Sequence, residues 1–547
     1  MNLYDVFNYF KLISYLILIL FIFLFSSCEQ KHKRAPEKIV EITESVDIQV
    51  IQILDEQLNQ YKKDGLLIVL EDTLKTSEWI YNLFFQNHMK PIWTSDEKLL
   101  PVANSLLNFI DQANYYGLSQ NKYYYEEVKA RINQIFNYSK QKINATRLYE
   151  INILLSDVFF RLSVDLHKGQ LSFETLKPEW KGGEMDINVL LLIKISLSEN
   201  RIEESLESCE PASKEYQFLK KYLMVFLKEY KKNNSFLQRL DQSKINNISN
   251  YYSNSIFEGN TSSSNTCIVP DSIQLAQNYL EAQINTISIN LEKLKWDDKI
   301  NEDYYLNINI PSYDLKLYKC DTLEMYSKII VGKPETRSPV RLDSKITHFY
   351  IYPYWTVPFS IATKEILPIL LKDTSYLSRH KMEVFDNSGN LINIRKIKWK
   401  KYSEKYFPFK IRQRDGDENT LGVLKYIFSN KYGIYIHDTN SRSLFKKDNR
   451  ALSHGCIRLE RARELANEVL SCCTINFNSD SLNYYLKKKE RKRVDLFKPL
   501  PIHIRYFTCE ADSNTILFYN DIYHLDSLMF NNISLFSEEA KNKIYLK

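Results

Sequence analysis

The chain has 547 residues, 44% hydrophobic and 26% charged, with 12 Gly and 15 Pro. This composition excludes a fibrous or broadly disordered protein, and the length calls for two or three globular domains. The formal net charge of +6 comes from Lys and Arg interleaved with Asp and Glu, without the basic stripe that nucleic-acid binding requires, so no nucleic-acid partner is expected.

The first predicted element is an apolar run from Leu12 to Phe25, interrupted by Ser14 and Tyr15 and followed by Ser26, Ser27 and Cys28. It is shorter than the roughly 20 residues of a transmembrane helix and matches the core of a secretory signal. The small pair before the cysteine resembles a bacterial lipobox, in which the cysteine is lipidated and becomes the mature N-terminus. Phe25 replaces the usual Leu, and the leading segment is barely basic, with Lys11 set against Asp5. The alternative is an uncleaved anchor; either way the chain is exported and membrane-tethered. Residues 1–28 are therefore assigned to a signal peptide with Cys28 lipidated, and 29–70 to a tether that is charged and polar from Glu29 to about Val46. Export invites a disulfide reading of the eight cysteines. Cys209, Cys267, Cys320, Cys456 and Cys509 lack regular spacing, however, and the adjacent Cys472 and Cys473 read as small buried hydrophobes at a helix end.

Residues 71–232 form a predicted helical domain. Leu106, Leu107, Ile110 and Ala113 recur at helical spacing before Gly117, and a longer striped segment runs from Leu148 to Leu171. Residues 233–266, rich in Asn and Ser, read as a linker or degenerate module, and 267–300 as connecting helix, with Ile284, Ile287, Leu291 and Leu294 on one face. Beyond 300 the period becomes two: Leu306, Ile308 and Ile310 alternate with polar neighbours, and Ser327–Val331 and Ile346–Tyr352 are strand-like. A mostly β domain is expected over 301–474, with an insertion at about 355–419 and a C-terminal extension over 475–547 packed on the other domains. The fold class is α+β multidomain.

The candidate chemistry lies late in the chain. Tyr432–Asp438 reads YGIYIHD, and as a strand it puts Ile434 and Ile436 on one face and Tyr435 and His437 on the other. Ser453-His454-Gly455-Cys456 follows, then Arg458 and a helical pattern of Leu459, Ala462, Leu465, Ala466 and Val469. Cys456 is thus expected just before a helix N-terminus, where the dipole favours thiolate. His437 is the candidate base. Amides around Gly455 and Cys456 could form an oxyanion hole, and the Arg458 fork could hold a substrate carboxylate. His454 is assigned to shaping the turn. A zinc site of two His and one Cys lacks a convincing fourth ligand, so no metal is expected.

At these residues the sequence resembles the L,D-transpeptidases with a YkuD-type catalytic domain. The signature is HDTNSRSLFKKDNRALSHGCIRLE, His437 to Glu460, supported by VGKPETRSPV (331–340), YPYWTVPFSIATKEILP (352–368) and IRQRDGDENTLGVLKYIF (411–428). KPIWT (90–94) and LHKGQL (166–171) resemble the scaffold domain of the large multidomain branch, and the resemblance spans roughly 75–530. It implies a capping subdomain inserted in the catalytic domain, no cofactor, Cys456 as nucleophile, His437 as base, and Ser453, His454 and Gly455 shaping the site. Arg458 is implied to contact substrate, with Trp355 and Tyr435 in the cleft wall. The implied partners are peptidoglycan stem peptides, a tetrapeptide donor and a diamino-acid acceptor, the membrane through the lipid anchor, and other cell-wall enzymes. The implied location is the periplasm of a Gram-negative type bacterium, and carbapenems are expected to acylate the thiol. Two departures stand out: no peptidoglycan-binding module is recognisable in 233–266, and Asp415 replaces an expected proline. Water or a protein lysine as acceptor, or a purely peptidoglycan-binding lipoprotein, are the competing readings.

Overall fold

The computed structural model describes residues 45–69, 72–136, 144–171, 188–239, 269–297, 300 and 302–533. Cys28 and the apolar run before it lie outside these residues, as do 240–266 of the Asn/Ser-rich stretch. No helix among the described residues is long and apolar enough to cross a membrane.

The N-terminal half is helical: α1 (Val46–Asp64), α2 (Ser77–Gln86), α3 (Pro101–Asp111), α4 (Tyr125–Phe136), α5 (Ala145–Lys168), α6 (Val189–Glu199), α7 (Ile202–Glu207), α8 (Lys214–Arg239) and α9 (Val269–Lys295). Three expected boundaries are corrected. The β domain does not end at 474, because Lys492–Arg505 is one of its central strands, paired with Tyr304–Asn309 and Leu342–Ile351. The tether does not reach residue 70, because α1 buries Val50, Leu54 and Leu58 completely in the helical core, and a stripe at four-residue spacing must be covered. The linker does not begin at 233, because α8 continues to Arg239.

The central element is α5, buried on nearly all sides. Its Asn152 accepts hydrogen bonds from the Ile92 and Trp93 amides at 2.9 and 3.0 Å and donates to the Thr94 hydroxyl at 2.8 Å. A fully buried amide side chain thereby fixes the KPIWT turn, and each of these groups would be costly to bury unpaired. The LHKGQL segment at the end of α5 meets α9. The Leu171 amide donates to the Glu292 carboxylate at 2.8 Å and Trp296 Nε1 to the Lys168 carbonyl at 2.7 Å. A Cβ on Gly169 would lie 2.4 Å from Glu292 Oε1, so only glycine admits that carboxylate. The same helix reaches the C-terminal half through Lys293, whose ammonium lies 2.6 Å from Asp526.

That half is a closed barrel. Its strands are β1 (Tyr304–Asn309), β2 (Asp314–Lys319), β3 (Thr322–Gly332), β4 (Leu342–Ile351), β5 (Trp355–Thr356), β6 (Met382–Phe385), β7 (Lys410–Gln413), β8 (Leu424–Phe428), β9 (Ile436–His437), β10 (Ala451–Ser453), β11 (Ile457–Leu459) and β12 (Lys492–Arg505). The spatial order β3-β11-β9-β8-β4-β12-β1-β2 closes because β2 pairs back on β3, which leaves no free edge in the ring. Leu306, Ile308, Leu315, Leu317, Ile346, Phe349, Ile436 and Ile457 are fully buried in its core. Helix α10 (Ala462–Cys473) buries Leu465, Ala466 and Val469 in the same core. Strand β12 carries Pro499 inside an irregularity between Asp495 and Leu500, where no ladder donor is needed.

Strands β5, β6 and β7 leave the barrel as a separate three-stranded sheet with its own core around Val357, Leu377, Val384, Trp399 and Ile411. This is the cap. The six described cysteines are free; Cys473 is buried, whereas Cys472 is exposed, contrary to the expectation for that pair.

Candidate active site

The site grows from three adjacent strands. On β9, His437 pairs with Lys425 of β8 on one side and with Arg458 of β11 on the other. Directly paired residues share a face, so Lys425, His437 and Arg458 form a row across the barrel wall. Tyr435 lies on that face too, its ring 5.5 Å from that of His437. Regular strand covers only Ile436–His437 of the expected segment, but the predicted alternation holds: Ile434 and Ile436 are buried, and Tyr435 projects beside His437.

Cys456 sits at the mouth of β11, half-buried. The expected helix start is not there: β11 intervenes and α10 begins at Ala462. A helix dipole acts within its first turn, so it does not activate this thiol. The thiol's hydrogen bonds come instead from the Tyr435 amide and hydroxyl, and its nearest charges are Lys425 and Arg458. Burial outweighs these and raises the thiol pKa. His437 is driven down to about 3, first by burial and then by the Arg458 and Lys425 charges, against backbone hydrogen bonds to Asp438 and Leu421. Its Nδ1 donates to the Asp438 carbonyl at 2.5 Å, an assignment fixed by the carbonyl being an acceptor only. No hydrogen bond joins His437 to Cys456 in this state; such contacts tighten when substrate fills the site.

The turn before Cys456 is over-determined. Gly455 has φ +106°, which an L side chain rarely adopts. Its amide donates to Ser453 Oγ at 3.1 Å, and Ser453 Oγ donates to the Cys456 carbonyl at 2.6 Å. The Gly455 amide is therefore spent on the turn, which corrects its expected place in an oxyanion hole; the Cys456 amide makes no hydrogen bond to any described residue. Ser338 Oγ donates to the Gly455 carbonyl at 2.8 Å. Tyr523, from the C-terminal extension, accepts from the Ser338 amide at 3.1 Å and donates to the Gly332 carbonyl at 2.7 Å.

The cap touches the site twice: Glu365 is hydrogen-bonded to His454 Nε2, and the Trp355 side chain is hydrogen-bonded to Tyr435. No group of three or more His, Cys, Asp or Glu among the described residues is arranged to hold a metal.

A half-buried thiol beside a neutral imidazole, two cations and a pre-formed turn can support nucleophilic acyl transfer. Residues 303–492 match the family model of the L,D-transpeptidase catalytic domain, YkuD, and residues 78–223 that of the scaffold domain. The chain carries a YkuD-family L,D-transpeptidase catalytic domain. A Haemophilus influenzae protein named "Putative L,D-transpeptidase" is 33% identical over 219 residues, 40% of this chain and 44% of that relative, so the chain spans less than half of the curated relative it matches. Solved L,D-transpeptidases from Mycobacterium smegmatis and Enterococcus faecium share 12% and 11% identity over 37% and 43% of this chain, and 58% and 64% of theirs. Their TM-scores of 0.17 and 0.14 carry no argument.

Within the YkuD domain, sequence reasoning found Cys456, His437, Tyr435 and Arg458 but missed Lys425, Asp438 and Ser338, and missed Tyr523 beyond it. Lys425 was visible as the lone cation in the strand LKYIF, and Asp438 as the neighbour of His437.

Proposed function

We propose that the protein is a peptidoglycan L,D-transpeptidase forming 3→3 cross-links. The observation that carries this reading is the shared face of Cys456, Tyr435, His437 and Arg458 at the barrel wall, inside the matched catalytic domain. Cys456 Sγ attacks the carbonyl of the diamino acid at position three of a tetrapeptide stem, and its proton passes to His437. The oxyanion forms near the Cys456 amide and the Tyr435 hydroxyl. The C–N bond breaks, His437 returns the proton to the leaving D-Ala amine, and a thioester remains. The side-chain amine of a neighbouring stem then attacks, gives its proton to His437, and releases the thiol with a new amide bond. Arg458 holds a substrate carboxylate, Trp355 and Tyr435 wall the cleft, and Ser453, His454 and Gly455 shape the turn. We place the enzyme in the periplasm as a lipoprotein anchored through Cys28, a reading supported by the apolar run from Leu12 to Phe25.

The test incubates the full chain, purified in detergent, with tetrapeptide muropeptides beside Cys456→Ala, with products read by mass spectrometry. A Cys456-dependent dimer formed with loss of D-Ala is expected. Tripeptide monomer alone would make water the acceptor, and no Cys456-dependent product would overturn the reading.

A further inference from the structure

Two cations at the site lack an anionic partner among the described residues. Lys425 and Arg458 make no ion pair or hydrogen bond with any described residue, and Arg458 Nε is buried without an acceptor. Lys425 Nζ instead rests 3.7 Å from the centroid of the Tyr435 ring. Among the described residues, the ionised form of Cys456 is the one negative charge that bears on either cation. Other cations drawn out of water in this fold meet carboxylates: the buried Arg505 lies 2.6 Å from Asp297 and 2.7 Å from Asp343, and the half-buried Lys316 lies 2.8 Å from Glu510. Holding two like charges partly out of water is unfavourable unless an anion comes to them. The strand register fixes them on either side of His437, so they converge on whatever occupies the space above Cys456.

We propose that Lys425 is a specificity-determining residue that, with Arg458, forms a two-cation cradle for the free α-carboxylate of the departing amino acid. The proposal rests on the acyl-transfer reading above and refines it. The carboxylate of the leaving residue is one carbon from the scissile nitrogen, so a cradle bordering Cys456 orients the amide for attack. It discriminates against donors whose carboxylate is blocked, because a neutral carboxamide leaves both cations unpaired. The Tyr435 ring beneath Lys425 keeps the ammonium aimed without neutralising it.

A first test needs no turnover. The full chain is alkylated with anionic iodoacetate and with neutral iodoacetamide, and modification at Cys456 is followed by peptide mass spectrometry. The iodoacetate-to-iodoacetamide rate ratio should exceed that of free N-acetylcysteine. It should fall about tenfold in Lys425→Met, as removal of one nearby, partly desolvated charge implies, and persist in Lys425→Arg. The iodoacetamide rate reports whether each variant keeps its folded site. A second test compares tetrapeptide donors ending in carboxylate or carboxamide, where Lys425→Met should erase the preference mainly through KM. An unchanged alkylation ratio, or an undiminished carboxylate preference in Lys425→Met, would overturn the cradle. Charge-selective alkylation with no turnover of either donor by the wild type would leave the cradle standing and sink the transpeptidase reading instead.

Discussion

Tyr523 lies far from Cys456 in sequence, yet its hydroxyl supports the turn that presents the nucleophile. It accepts from the Ser338 amide and donates to the Gly332 carbonyl, with Ser338 fully buried and Tyr523 5% exposed. Tyr523→Phe keeps the ring and its stacking on Tyr506 but leaves one buried donor and one buried acceptor unsatisfied. At about 1–3 kcal/mol for each orphaned group, the expected loss is about 2–6 kcal/mol. For a domain of this size each kcal/mol moves Tm by about 2–4 °C, so the barrel transition should fall by about 4–24 °C. The helical domain has a core of its own, so calorimetry must resolve its transition from that of the barrel. Ser338 also fixes the Gly455 carbonyl, and a loosened turn should slow acyl-enzyme formation by about ten- to a hundredfold, read by intact-mass time courses with a tetrapeptide donor. A barrel Tm within about 1 °C of wild type together with an unchanged acylation rate would refute the bracing role of the C-terminal extension.

Gly422 and Gly433 make a matched pair, with φ of +63° and +66°. A Cβ at Gly422 would lie 2.4 Å from Asp438 Oδ2, which accepts from the Val423 amide at 3.1 Å, whereas a Cβ at Gly433 meets nothing within 4 Å. Gly433→Ala should therefore cost only the left-handed penalty of about 1–2 kcal/mol, while Gly422→Ala should also displace Asp438 and abolish acylation; equal effects in melting and acylation assays would contradict the close approach. The pH dependence has a definite sign. His437 has a pKa near 3 when folded and about 6.5 when unfolded, so its contribution is present above pH 6.5 and lost as pH falls toward 3. Asp343 is held at about 2 despite burial, by the His503 hydrogen bond and the Arg505 charge, so its contribution is lost as pH falls from its unfolded value through 2. Denaturant midpoints across pH should show the upper slope flattened in His437→Gln and the lower one in Asp343→Asn. The acid limb of wild-type acylation should lie near pH 3, and a limb near 6.5 would contradict the buried, neutral imidazole.

Much of this was legible in the residues. The stripes of Leu106, Leu154 and Leu291 announced helices because only one buried face satisfies a 3.6-residue repeat, and the alternation of Leu306, Ile308, Leu315 and Leu317 announced strands for the equivalent reason. The Ser-His-Gly-Cys turn, the strand bearing Tyr435 and His437, and Arg458 were found from local spacing, since their chemistry depends on near neighbours. Spacing could not distinguish three residues of strand from a helix start after Cys456, because Ile457-Arg458-Leu459 fits either pattern. Nor could it show that α1 belongs to the helical core.

What only the tertiary structure decided are the long-range pairings. Barrel closure through β2 and β3, the register that sets Lys425 and Arg458 on either side of His437, and the reach of Tyr523 back to Ser338 all join residues far apart in the chain. Local sequence determines which face of an element is apolar. Which strand lies beside which, and therefore which charges surround the thiol, follows from packing distant segments around the barrel core.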